Sequence, residues 1–278
     1  MKTFLTTTFA LVAFALNSIL CRLTLRGEEA DAAGFTAVRL VSGALTLIAI
    51  SYLVNRKSGV KKSGSWASAL FLFAYAACFS FAYLGLTAGT GALILFGAVQ
   101  LTMIAVAIGK GERPAALEWC GLAIAAGGLV YLVLPGLASP PLASSALMGA
   151  AGVSWGIYTL RGRLGSDPLA NTTGNFVRSL PFVAVLAAVY FPKLHLTNRG
   201  MVLAILSGAA ASGVGYTVWY MALKHHTSTR AAILQLSVPI IAAVLGVLML
   251  GEITTPRLYI AAALILGGIG LTIVGRKR

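Results

Sequence analysis

Acidic side chains are scarce in this chain: its 278 residues hold seven Asp and Glu against twenty-one Lys and Arg. Charged residues of both signs make up 10%, well below the roughly 25% of a soluble domain. Too few ionic groups remain to build a water-facing surface. Disorder is excluded as well, because 58% of the residues are hydrophobic and disorder needs low hydrophobicity. Cysteine is almost lacking. Cys21, Cys78 and Cys120 lie within or at the ends of apolar runs. They have neither metal-site spacing nor a disulfide framework, and they read as small buried apolar residues. The sequence has no Walker motif, no His-Glu-x-x-His and no paired membrane aspartates. ATP hydrolysis, metal binding, a cofactor and enzymatic catalysis are therefore not expected.

What the chain does have is long apolar runs. Ten segments of about 20 residues, the length a spanning helix needs, cover roughly 3–24, 32–54, 65–86, 89–109, 114–134, 143–163, 171–191, 199–222, 229–250 and 257–275. The runs are continuous, whereas a transmembrane barrel would show alternating polarity. The reading is an all-α membrane protein of ten transmembrane helices. The loops leave no room for a soluble domain. The first run is long, holds Asn17 and shows no clear cleavage site before Arg22, so it reads as a retained helix and not a signal peptide.

The net charge of +14 could suggest nucleic acid, but its distribution points to topology. With the N-terminus in the cytoplasm, fourteen Lys and Arg flank helices on that side and five on the other. Lysine and arginine bias orientation this way, so both termini are expected inside. Attraction to anionic lipid follows as a by-product.

The chain also aligns with itself. A shift of 139 puts Arg22 on Arg161, Leu25 on Leu164 and Arg39 on Arg178. A shift of 140 puts Gly111–Glu112 on Gly251–Glu252, and Gly127–Gly128 on Gly267–Gly268. Two five-helix repeats result, 1–138 and 139–278. Five is odd, so the second enters the membrane inverted, an arrangement of transporters whose substrate site lies between the halves.

Ten helices, the 5+5 repeat, the Gly-Glu pair after the fourth helix of each half and the Gly-Gly pair in its last helix resemble the drug/metabolite transporter superfamily, EamA-like branch. Asn17, Arg22 and the tyrosine-rich third helix most resemble the YddG-type aromatic amino acid exporters of bacterial inner membranes. The resemblance implies an inner-membrane exporter of small molecules. Val99 stands where the second half has Pro239, a departure from any proline shared by the repeats.

Candidate path residues are aromatic and polar groups stacked on helix faces. They are Tyr75, Phe79 and Tyr83 on the third helix, Gln100 on the fourth, Trp155 and Tyr158 on the sixth, and Asn175 on the seventh. Tyr216 and Tyr220 on the eighth and Gln235 on the ninth complete the set. Each has a plainer reading: packing for the rings, a place in the interfacial belt for Tyr83, Tyr131, Tyr190 and Tyr259, helix-to-helix bonding for the amides. Arg39 and Arg178 stand at matched intramembrane positions. Each could hold a substrate carboxylate, whose geometry suits the guanidinium fork; snorkelling or capping of a helix end is the alternative. Pro239 frees the Gln235 carbonyl and is a candidate hinge. Small residues, Ala123 and Gly127 on the fifth helix and Ala263, Gly267 and Gly270 on the tenth, point to a tightly packed scaffold pair and a candidate homodimer face.

None of the seven acids is expected at mid-membrane, where proton relays usually place one. Uniport or exchange by alternating access is the expected mode. Amino acids with aromatic or other apolar side chains are the expected substrates. Other metabolites, drugs, and nucleotide-sugar or lipid-linked molecules remain alternatives.

Overall fold

The computed structural model describes residues 2–54, 63–111, 115–134, 136, 139–162, 167–223, 226 and 234–275. Among these the regular elements are all helices, apart from one isolated backbone bridge, Ala30 to Leu196. The helices are α1 (Lys2–Arg26), α2 (Ala32–Val54), α3 (Trp66–Ala82), α4 (Ala88–Gly109), α5 (Ala116–Val133), α6 (Leu142–Gly162) and α7 (Pro168–Val189). Then come α8 (198–223), α9 (Ser237–Leu250) and α10 (Pro256–Gly275).

Seven of them, α1, α2, α4, α5, α7, α8 and α10, are long and apolar enough to cross a bilayer by themselves. The expectation of ten self-sufficient spans is thus too generous. The third ends at Ala82, because Tyr83 already caps it and the chain turns. The ninth begins at Ser237, and its expected start at 229–233 lies outside the described residues. α6 has the length but carries many small and polar residues. All three are held by protein neighbours: α3 against α6 and α7, α6 against α3 and α4, α9 against α1 and α4. The remaining principal pairs are α2 with α7 and α8, α1 with α8, and α5 with α10.

α8 is not a uniform helix. Asn198–Ile205 and Gly215–Leu223 are α-helical, and Leu206–Val214 between them is π-helical. Its run of small residues lets it approach α2 closely. A Cβ on Gly208 would stand 2.1 Å from the Arg39 carbonyl oxygen, so only glycine fits.

Polar contacts close the bundle at both ends. At one end the Glu252 carboxylate accepts the Ala88 backbone N–H at 2.8 Å and lies 3.4 Å from Arg22. It thereby caps α4 and uses the positive end of that helix. The preceding Gly251 ends α9 in the left-handed conformation at φ +60. Beside it, the His195 N–H donates to Asp31 at 2.7 Å and the Thr197 N–H to the Glu29 carbonyl at 2.8 Å. At the other end Arg178 donates to the Ser63 and Gly174 carbonyls. Asn171 and Asn175 accept the backbone N–H groups of Gly64 and Ser65 at 3.1 and 2.9 Å. Glu112, which the self-alignment sets against Glu252, lies outside the described residues.

Replacing Glu252 by Ala is expected to cost about 1–2 kcal/mol, the usual worth of a helix cap. Thermal unfolding in detergent reads this. An unchanged midpoint would show that the cap contributes nothing.

The α5–α10 pairing occurs as expected, but on a different face. Gly121, Ala125, Gly128, Ala261, Ile265, Gly268 and Thr272 are buried. Ala123, Gly127, Ala263 and Gly267 face outward, and a Cβ on Gly127, Gly267 or Gly270 would meet nothing within 4 Å. Adjacent glycines lie ~100° apart around a helix. A Gly-Gly pair therefore announces a contact without saying which glycine makes it.

Candidate functional site

At the centre of the bundle α2, α3, α6, α8 and α1 bring a cation and a set of rings together. Arg39 is 1% exposed. Its Nη2 donates to the Tyr75 hydroxyl at 3.0 Å and the Tyr216 hydroxyl at 3.4 Å, and its Nε donates to Ser212 Oγ at 3.3 Å. The guanidinium carbon lies 5.2 Å from the Tyr75 ring centre and 4.9 Å from that of Phe79. Cation–π contacts of this kind reach about 2 kcal/mol when desolvated. Two features remain unbalanced. Arg39 Nη1 has no hydrogen-bond partner. Among the described residues the ion pairs are Arg22–Glu252 and Arg199–Glu29, and none reaches Arg39. A buried charge without an ion partner costs several kcal/mol, which the tyrosine, serine and ring contacts offset only in part.

The rings form a wall. Trp155 lies 4.8 Å, centre to centre, from both Tyr75 and Tyr216, and 5.4 Å from Tyr158. Phe14 of α1 closes it edge-on, 5.8 Å from Tyr216 and 5.7 Å from Trp219. Between them is a narrow cavity bordered also by Asn17, Phe79 and Phe96, with space for about one water molecule. Nothing of amino acid size enters without a rearrangement, which fits the closure at both ends.

The other expected positions divide. Tyr83 is fully buried, its ring 4.8 Å from Phe79 and its hydroxyl donating to the Ala88 carbonyl, so it is no belt residue. Asn175 and Arg178 hold the start of α3, and the Asn175 side chain also hydrogen-bonds the Tyr158 hydroxyl at the edge of the ring wall. Arg178 donates to the Ser63 carbonyl ahead of α3 and the Gly174 carbonyl within α7, whereas Arg39 points inward and does not snorkel. Tyr220 lies against α6 at Gly162. Gln100 and Gln235 are buried at 4% and 5% exposure. Pro239 borders a separate apolar groove between α4, α9 and α10 with Gly89 and Leu93. The sequence reading passed over α1. Yet Asn17 donates to the Tyr75 hydroxyl at 3.4 Å and accepts from Ser207. Phe14, Asn17 and Ser18, spaced three and four apart, carry the signal that would have shown it.

Comparison with known proteins now decides the class. The model of the EamA-like transporter family matches residues 143–274. The uncharacterized protein PA1977 of Pseudomonas aeruginosa is 48% identical over 275 residues, covering 99% of this chain and 96% of that protein. Nearly half of the chain is thus an EamA-like transporter domain, which supports the drug/metabolite transporter superfamily. The threonine/homoserine exporter RhtA of Escherichia coli is 32% identical over 183 residues, 63% of this chain and 60% of RhtA. A crystal structure of a further protein, 17% identical, superposes over 100% of this chain and 99% of that one with a TM-score of 0.69, which shows a shared fold. This transporter is therefore a multi-pass membrane protein that moves a small molecule, and the aromatic cluster around Arg39 lies where its helices converge.

Proposed function

We propose that this transporter exports amino acids across the bacterial inner membrane, by alternating access between two inverted halves, and that Arg39 holds the substrate carboxylate. The observation that carries the reading is the buried guanidinium with an unpaired Nη1 and no carboxylate partner among the described residues. A single fork suits one carboxylate and is a poor match for the diphosphate of a nucleotide sugar. The rings of Tyr75, Phe79, Trp155 and Tyr216 would take an apolar side chain by area burial and stacking. RhtA, a relative, is by name an exporter of amino acids.

The neighbour pairs support the inverted halves. Adding five to each helix number of the first half, and subtracting five in the second, turns every principal pair into itself or into another one: α3–α6 becomes α8–α1, and α4–α6 becomes α9–α1. The charge bias supports termini in the cytoplasm. Uniport or exchange remains the proposed mode. Among the described residues the acids Glu28, Glu29, Asp31, Glu118, Asp167 and Glu252 all stand at helix ends or in loops.

Counterflow tests the reading. Liposomes holding the purified protein and unlabelled amino acids should accumulate labelled phenylalanine or threonine with no ion gradient. Trp155→Ala should lower phenylalanine counterflow about tenfold and threonine less, since an aromatic contact is worth ~1 kcal/mol beyond its area. Silence for both labels would overturn amino acid transport. A gradient built solely by an imposed pH difference would overturn uniport.

A further inference from the structure

Besides Arg39 Nη1, two intramembrane side chains present polar atoms that are buried and without a partner. They are Gln100 Nε2 on α4 and Thr159 Oγ1 on α6, in residues 4% and 7% exposed. Their placement is related. α4 and α6 pack side by side and run in the same direction. A Cβ on Gly152 would meet the Leu95 carbonyl, and one on Gly156 the Val99 carbonyl. Phe96 and Trp155 border the central cavity. Gln100 stands one turn beyond Phe96 and Thr159 one turn beyond Trp155, ~6 Å further along each helix and on the same faces. Both unpaired groups thus lie beyond the same end of the cavity, on two of the five helices that line it.

The Thr159 hydroxyl is unusual for its surroundings. Eight helical threonines, Thr7, Thr24, Thr36, Thr102, Thr172, Thr173, Thr217 and Thr272, return their hydroxyls to the carbonyl four residues back. That bond satisfies a hydroxyl locally inside a helix. Thr159 does not make it, although the Trp155 carbonyl stands in the required place. A buried amide and a buried hydroxyl each cost free energy when unpaired, and two together on one wall point to a ligand group that pairs with them.

We propose that Gln100 and Thr159 form a polar subsite that reads a hydroxyl or carboxamide on the substrate's side chain while Arg39 holds its carboxylate. The inference rests on the carboxylate reading of Arg39 and sharpens it. The substrate has an apolar body against the rings and a hydrogen-bonding end, and a purely aliphatic side chain of the same size leaves both groups unpaired. Recognition by hydrogen bonding separates isosteres far better than an apolar pocket does.

The test is competition in counterflow with the isosteric pair threonine and valine, and with their carboxylate-free counterparts threoninol and valinol. In the wild-type protein threonine should compete at least about tenfold better than valine. In Gln100→Leu/Thr159→Val the two should compete within about twofold of each other. Thermal stability should hold or rise, since each change removes an unpaired polar group. Should the double variant fail to fold, Thr159→Val alone should reduce the preference. Equal competition in the wild type, or a preference that survives both changes, would overturn the subsite. If threoninol competes as well as threonine, the Arg39 reading fails on its own, and threoninol against valinol still reports on the subsite.

Discussion

Replacing Arg39 by Gln is expected to lower amino acid counterflow at least about a hundredfold, since truncating one partner of a buried charged pair costs ~2–5 kcal/mol. Arg39→Lys keeps the charge and should still lose about tenfold, because an ammonium cannot offer the planar fork that matches a carboxylate. The folded protein should tolerate both. Arg39 is bound to Tyr75, Tyr216 and Ser212, but its charge has no partner there, so removing it relieves a cost as well as breaking bonds. The decisive comparison is between substrates. A role in holding carboxylate predicts that whatever transport of a carboxylate-free amino alcohol the wild type supports is little changed. Equal loss for acid and alcohol, or a collapse of thermal stability, would assign Arg39 to the scaffold.

The second large effect concerns two adjacent glycines of α10. A Cβ on Gly268 would stand 2.6 Å from the Ala125 nitrogen and 2.6 Å from the Gly121 carbonyl oxygen. Backbone cannot yield as a side chain can, so Gly268→Ala must push α5 and α10 apart and should cost ~1–3 kcal/mol. Gly267→Ala adds the same methyl group in open space and should be neutral or stabilise by up to ~1 kcal/mol, the helix preference of alanine. Thermal unfolding of the two variants in lipid nanodiscs decides the matter. Neither should alter the order of substrate preference, since α5 and α10 lie away from Arg39. Equal midpoints would mean that the pair does not pack as described.

These two cases show what could be read from residue order. The apolar runs located ten helices, most of them to within a few residues, because a bilayer demands length and continuity. The stripes on α3, α6 and α8 picked out Tyr75, Phe79, Trp155 and Tyr216, because residues four apart share a face. A stripe does not say which neighbour that face meets. Asn175 and Arg178 sit on a polar stripe as good as the others, yet that stripe also meets the start of α3. Pro239 borders a groove away from the central cavity. Phe14 and Asn17 were not among the path candidates because the polar residues of α1 are spread along its length and form no aromatic stripe. The π-helical turn of α8 left no mark beyond a run of small residues. Whether Arg39 would snorkel or turn inward depended on Gly208 allowing α8 to come near, a tertiary fact.

Glu252 caps a helix that begins 164 positions before it. During synthesis α4 enters the membrane long before that carboxylate exists, and its first N–H groups must wait. Ala88 gains its partner only when the segment joining the last two helices has emerged. α5 likewise waits for α10, its main neighbour. A ribosome stalled after α9 would therefore leave most of the helices inserted but the start of α4 uncapped and α5 without its partner. Nascent chains of that length should be targets for quality-control proteases, and addition of the last 30 or so residues should be what makes the protein resistant.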